Sequence, residues 1–219
     1  MRSWKSLFFM LFFLSGFCGL LYQVVWLRMA FASFGVITPV LSIVISVFML
    51  GLAIGSWLAG RWVLDVSKRT RQSPLLFYGL AELLIGVGAF AVPFLFHLCE
   101  NYLMAFNQMD STAYLFVSAL LLAVILLPWC IAMGATYPLV MAAIKKADQK
   151  EENSFSFLYL SNVIGAMCGT FLTALVLIEL LGFSSTLIVA ALTNFFIGSV
   201  SLWMSQKHYA FVATGNVPP

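Results

Sequence analysis

Six apolar stretches, each long enough to cross a lipid bilayer as a helix, follow one another with only short polar links between them. They run near Leu7–Phe31, Ile37–Ala59, Leu75–Leu98, Leu115–Ala143, Phe155–Leu177 and Thr186–Met204. A crossing takes about 20 apolar residues. In lipid the backbone must satisfy its own N–H and C=O groups, so each stretch is expected to be helical. Of the 219 residues, 63% are hydrophobic and only 9% charged, which leaves too little polar surface to wrap a water-soluble core. The expected fold class is therefore an all-α polytopic membrane protein with six transmembrane helices. Residues 1–206 form the membrane domain and 207–219 a short cytoplasmic tail.

The start, Met1-Arg-Ser-Trp-Lys5 before an apolar run, has the look of a signal peptide. That run continues through Gly16 to Trp26, too long for a signal segment and long enough to span. Phe17-Cys18 also lacks the small residue expected ahead of a lipoprotein cysteine. The segment reads as the first span.

Placement of Lys and Arg orients the spans. With the N-terminus inside, the inner segments carry Arg2, Lys5, Arg61, Lys68, Arg69, Arg71, Lys145, Lys146, Lys150 and Lys207, and the outer ones carry only Arg28. This asymmetry expects both termini on the cytoplasmic side of a bacterial-type inner membrane. The same distribution excludes a nucleic-acid surface, because the positive charge sits in loops between spans.

The two halves of the chain echo each other. Gly51, Gly55 and Ala59 stand four residues apart on the second span; Gly165, Gly169 and Thr173 do the same on the fifth. Gly79-Leu-Ala-Glu-Leu-Leu-Ile-Gly86 is matched by Ala191-Leu-Thr-Asn-Phe-Phe-Ile-Gly198. Three spans per copy, near 7–98 and 115–204, invert the second copy in the membrane. Small residues at this spacing let helix backbones approach closely, either within one bundle or at a homodimer seam. The register expects spans two and five to pack near the pseudo-two-fold axis.

Glu82 is the sharpest single residue. It lies about 10 Å inside the third span from the cytoplasmic end, counting 1.5 Å per residue. A carboxylate there costs about 2.5–3.5 kcal/mol on insertion scales, so it is expected to face the bundle interior or a wet cavity. It is either a proton or cation site, or a neutral carboxyl hydrogen-bonded to a neighbouring helix. The repeat places Asn194 at the equivalent position, which suits a shared interhelical role. Asp65 and Glu179 are also equivalent, and an outer pair between Arg28 and Glu179 is expected.

Tyr22, Gln23 and Trp26 make a polar-aromatic stripe on span one, read as membrane-interface anchors or as a ligand platform. Tyr22 aligns with Tyr137. Tyr78, Asn162, Asn194, Tyr22 and Gln23 are the candidate cavity lining around Glu82, with Tyr159 beside Asn162. The fourth stretch, holding Pro128, Gly134 and Pro138, is expected as one long bent helix; Met133-Gly-Ala-Thr-Tyr-Pro138 is either a packing kink or a broken-helix site. Cys18, Cys99, Cys130 and Cys168 have no metal spacing and read as small buried hydrophobes. His97 and His208 lack ligand partners. No phosphate loop, nucleophile triad or metalloprotease motif occurs, so no catalytic residue, cofactor or metal is expected.

Ser15-Gly-Phe-Cys-Gly-Leu-Leu-Tyr-Gln-Val-Val-Trp-Leu-Arg28, Phe48-Met-Leu-Gly-Leu-Ala-Ile-Gly-Ser-Trp-Leu-Ala-Gly-Arg61, Tyr78-Gly-Leu-Ala-Glu82, Met133-Gly-Ala-Thr-Tyr-Pro138 and Tyr159-Leu-Ser-Asn-Val-Ile-Gly165 together resemble the membrane part of the fused major-facilitator/spermidine-synthase-like proteins. The resemblance covers all six stretches in order. It implies half of a major facilitator fold and a connection to polyamines. In that family a soluble aminopropyltransferase-like domain commonly follows; its Gly-rich nucleotide loop and acidic polyamine site are not in this sequence. The expected function is a transporter-like module handling a small metabolite, with a polyamine as the implied class. The alternative is a non-transporting anchor or assembly subunit for a cytoplasmic aminopropyltransferase-like enzyme or other complex. One six-helix half also expects a homodimer or a second membrane or soluble subunit.

Overall fold

The computed structural model describes residues 2–105, 110–147 and 154–213, and these are almost entirely helical. The elements are α1 (Arg2–Phe34), α2 (Thr38–Thr70), α3 (Pro74–Ala105), α4 (Ser111–Ala147), α5 (Ser154–Leu172), a π-helical turn at Thr173–Leu177, and α6 (Ile178–Ala213). Lys150 and positions 214–219 of the expected tail lie outside the described residues.

Local chemistry sets most helix ends. Gly35, at φ 96°, closes α1, its N–H bonding Phe31 O at 3.0 Å, and Pro39 stands in the first turn of α2. Arg71 ends α2 in the left-handed region at φ 55°. Ser73 caps α3, its hydroxyl accepting the Leu75 N–H at 3.3 Å just ahead of Pro74. Asp110 caps α4 through the Ala113 N–H at 3.0 Å.

Five helical runs are long and apolar enough to cross a membrane: Ser6–Phe34, Thr38–Thr70, Pro74–Glu100, Thr112–Lys145 and Ser156–Gln206. The last is a special case. At 51 residues it would extend about 75 Å at 1.5 Å per residue, against a hydrocarbon core of about 30 Å. It does not stay straight. Gly182, at φ 73° and ψ 176°, breaks it in a conformation open almost only to glycine.

Interhelix contacts give the directions. Gly165 packs on Phe13 and Gly169 on Phe17, so α5 runs parallel to α1. Phe12 meets Tyr78 and Phe34 meets Phe96, so α3 is parallel to α1 as well. Gly79 packs on Gly198 and Gly86 on Phe195, so α6 is antiparallel to α3. The chain therefore doubles back at Gly182.

The most extensive pairings are α2 with α4, α1 with α5, and α3 with α6. Each rests on glycine. A Cβ at Gly55 would overlap the Ile131 carbonyl, one at Gly51 the Cys130 side chain, and one at Gly134 the Leu52 backbone. Gly165 and Gly169 meet the Phe13 and Phe17 carbonyls, and Gly16 meets Asn162. With apolar lipid outside, this close backbone approach is what dispersion forces act through. α2 and α5, expected to pack near the pseudo-two-fold axis, make no extensive contact with each other. Each packs on a parallel neighbour instead, and the helices that meet each other are α3 and α6.

Two apolar clusters fill the interior. One joins Phe8, Phe12, Val63, Leu75, Tyr78, Val140, Leu158 and Ile197. The other joins Cys18, Tyr22, Trp26, Val44, Phe48, Ile85, Leu126, Cys130 and Ala191. The outside is apolar too: Trp57, Phe94, Phe116, Leu175 and Leu192 are all more than half exposed, which suits contact with lipid.

Three expectations change here. α4 runs unbroken through Pro128 and Pro138, so Met133–Pro138 is no broken-helix site; the Thr136 hydroxyl caps the Met133 carbonyl at 2.7 Å. Trp26 is 1% exposed and stacked on Tyr22 at 4.9 Å, so neither aromatic is an interface anchor. Arg28 and Glu179 form no ion pair: Glu179 points outward, and among the described residues the ion contact shown is His97–Glu100 at 3.8 Å.

Valine at Gly55 or Gly169 should lower stability by about 1–3 kcal/mol or more, the usual range for overpacking. Valine at Gly60, where a Cβ meets nothing within 4 Å, should not. Thermal denaturation in nanodiscs checks the contrast; equal losses at all three positions would contradict it.

Candidate functional site

Between the two apolar clusters lies a buried polar layer built by α1, α3 and α6. Ser15, Cys18 and Tyr22 project from one face of α1 at three- and four-residue spacing. Tyr78 and Glu82 stand one turn apart on α3, and Asn194 faces them from α6. Glu82 is 0% exposed. The Ser15 hydroxyl lies 2.5 Å from Glu82 Oε1. The Asn194 amide donates to Glu82 Oε2, also at 2.5 Å. The Tyr22 hydroxyl donates to Asn194 Oδ1 at 3.1 Å. The Cys18 thiol reaches the Ala190 carbonyl at 3.8 Å. Tyr78 is fully buried beside Glu82 and Ser15, though its hydroxyl makes no hydrogen bond of good geometry.

These contacts explain how a carboxyl is tolerated so deep. Interhelical hydrogen bonds in membranes are worth about 1–2 kcal/mol in model peptides and often less in proteins. Two to the carboxyl and one behind it offset much of an insertion cost of about 2.5–3.5 kcal/mol. Among the described residues no group of three or more His, Cys, Asp or Glu could hold a metal ion.

Next to this layer is a half-open cavity of about 300 Å³. All six helices contribute to its wall. Its polar groups are Ser15, Ser56, Thr136, Tyr137, Tyr159, Asn162 and Asn194; Phe12 and Phe48 supply apolar surface. The aromatics are in mutual contact, with Phe12 and Tyr137 at 5.7 Å and Tyr137 and Tyr159 edge to face at 6.2 Å. Tyr159 is 57% exposed. Asn162 is tied to α1 through the Phe12 carbonyl at 3.2 Å, and Ser161 through the Phe9 carbonyl at 2.8 Å.

The candidates named from sequence divide between these places. Asn162, Asn194 and Tyr159 line the cavity. Glu82, Tyr22 and Tyr78 do not: they sit behind its wall, buried completely. Gln23 lies on the next face of α1 and is only partly buried, away from the cavity. Burial draws Tyr22 inward because its hydroxyl finds Asn194 there, whereas Gln23 is turned about 100° away by the helical period. Gly51, Gly55, Gly165 and Gly169 are at helix contacts, and Ala59 is partly buried against the apolar cluster at the basic end. Cys18 and Cys130 are buried and Cys99 and Cys168 partly so, all as free thiols.

Ser15, Ser56, Thr136 and Tyr137 belong to the site but were not singled out from sequence as lining it. A signal for Ser15 existed: with Cys18 and Tyr22 it completes a polar stripe along an otherwise apolar helix. Ser56 and Thr136 had none, since serine and threonine in a membrane helix commonly bond their own backbone.

Neither a family model nor a curated protein nor a solved structure matches this chain. Its class is given by the fold alone, that of an all-helical, multi-pass membrane protein.

Removing both partners of the polar layer should cost less than the two single removals added together. Glu82→Leu strands the Asn194 amide, and Asn194→Leu strands Glu82 and Tyr22, each at about 1–3 kcal/mol for an unsatisfied buried group. The double variant should fall short of the sum by at least about 0.5 kcal/mol, the threshold for coupled residues. A double-mutant cycle on unfolding in mixed micelles measures it, and strict additivity would count against the network.

Proposed function

We propose that this chain is a transporter-like membrane module with six spans, arranged as two inverted three-helix repeats like half of a major facilitator. The observation that carries the reading is the half-open cavity of about 300 Å³, walled by residues of all six helices and lined by hydroxyl, amide and aromatic groups. Binding sites at the meeting of two repeats, at mid-depth in the membrane, are the pattern of secondary transporters.

The packing supports the repeat. Exchanging α1 with α4, α2 with α5 and α3 with α6 turns the α1–α5 pairing into α4–α2 and returns α3–α6 to itself. Glu82 and Asn194, equivalent in the two copies, touch each other. In an inverted repeat, equivalent residues that touch would sit at the local two-fold axis, and the antiparallel crossing of α3 and α6 suits an axis in the membrane plane. The reversal at Gly182 supports reading the last apolar run as two spans.

The cavity suits a small organic molecule. Among the described residues its wall holds no Lys or Arg; it carries aromatic faces and oxygen acceptors, and a carboxyl stands directly behind it. Aromatic faces attract ammonium groups. These features favour an amine, in keeping with the polyamine class that the sequence resemblance implies. A half-open site also suits closure by a second copy or another membrane subunit. We place the chain in a bacterial-type inner membrane with its termini cytoplasmic, on the charge asymmetry of its loops.

One observation favours the anchor reading: Arg61, Lys68, Arg69, Arg71 and Lys145 are all exposed, on loops and helix ends of the inner side as assigned by charge. Such a surface could hold a soluble partner.

Gly19 offers a clean test. It lines the cavity, and a Cβ there meets nothing within 4 Å. Gly19→Leu should fill the cavity without disturbing helix packing. In proteoliposomes, uptake of labelled spermidine or putrescine should fall at least tenfold with Gly19→Leu and stay near wild type with Gly60→Leu. Wild-type uptake no greater than in protein-free liposomes, with a soluble partner retained by the basic end, would replace transport with anchoring.

A further inference from the structure

We propose that Glu82 is a proton-exchange site of this module, and that its proton reaches the cavity through the Ser15 hydroxyl. The inference rests on the transporter reading for its purpose but on local geometry for its chemistry.

Glu82 has no direct opening to the cavity; Ser15 and Asn194 stand between. The two are not equivalent as routes. The Asn194 side chain points an N–H at Oε2 and cannot relay a proton as a neutral amide. A hydroxyl is donor and acceptor at once; the Ser15 hydroxyl lies 2.5 Å from Oε1, and Ser15 is itself a residue of the cavity wall. The relay is balanced. A proton arriving from the cavity binds Ser15 Oγ as the hydroxyl's own proton passes to Glu82 Oε1. Release is the reverse, and no other bond changes.

The surroundings argue for a proton over a metal cation. An amide N–H aimed at Oε2 repels a cation there, and the oxygens beside the carboxyl, the Ser15 and Tyr78 hydroxyls, are too few for a coordination shell. The titratable groups facing Glu82 are Cys18 and Tyr22 from α1 and Tyr78 from its own helix; α6 presents only the neutral Asn194. Among the described residues no Lys, Arg, His or second carboxyl touches it. Glu82 is the acid of the layer, without a fixed counter-charge.

Protonation also changes what the cavity wall offers. With Glu82 ionised, the Ser15 proton is turned inward to Oε1. With Glu82 neutral, its own proton points at Ser15 Oγ and the serine hydroxyl is free to donate elsewhere. The proton on Glu82 and the hydrogen bonds available to a bound molecule are thus linked through one hydroxyl.

The test needs no substrate. Purified protein in nanodiscs is examined by infrared difference spectroscopy between acid and alkaline pH. A protonated-carboxyl band that comes and goes with pH is expected in the wild type and absent in Glu82→Gln, which keeps one acceptor and can donate to Ser15 Oγ. After a pH jump, the band should appear at least tenfold more slowly in Ser15→Ala. Coincident difference spectra for the wild type and Glu82→Gln, or an unchanged rate in Ser15→Ala, would overturn the proposal. Because transport is read separately with Gly19→Leu, failure of one reading leaves the other measurable.

Discussion

A carboxyl group held where water cannot reach it governs the interior of this protein. Lipid offers Glu82 no partner, so the partners come from other helices: a hydroxyl from α1 and an amide from α6. Both partners lie on elements remote in the chain, and the amide is held in turn by Tyr22. Satisfying one group therefore fixes three helices at one level. The apolar clusters on either side are non-directional and could slide; the polar layer between them sets the register.

The remaining helices are placed by a different device. α2 lies on α4 and α5 on α1 through glycines that let one backbone touch the carbonyls of the next. Hydrophobic burial does not drive helices together in lipid, so contact area at close range replaces it. The division has a consequence for the cavity. Gly16, Gly19 and Gly134 lie in its wall, where the absence of side chains leaves room, yet Gly16 and Gly134 are also packing positions. Gly19 alone of the three has open space at its Cβ. The cavity and the packing thus share helix faces, and polar groups reach it from the edges of those faces.

How much of this could be read in the chain differs by element. The span positions follow from apolar length, because the energy of crossing depends on local composition. Glu82 stands out for the same reason, as a charge where none is expected, and Asn194, which the sequence echo pairs with it, is its hydrogen-bond partner. The Gly ladders mark close packing but not the partner helix, since a small-residue face has no chemical address. That is why α2 and α5 are expected near the pseudo-two-fold axis, whereas their ladders lie on α4 and α1. Tyr22 and Trp26 look like interface anchors by type and depth. Only the position of Asn194 and the stacking of the two rings account for their complete burial. An Arg28–Glu179 pair required two side chains to face one another, and pairing in sequence register carries no such orientation.

The chain by itself determined a helical membrane protein, the level of its buried acid and the places where helices come close. These rest on short-range terms: apolar length, the cost of a charge in lipid and the absence of a Cβ. Tertiary structure decided which helices pair, that Gly182 turns the last apolar run back on itself, and that a cavity opens beside Glu82 with Ser15 between them. Those features depend on where distant segments meet in space, and no local preference of either segment contains that information.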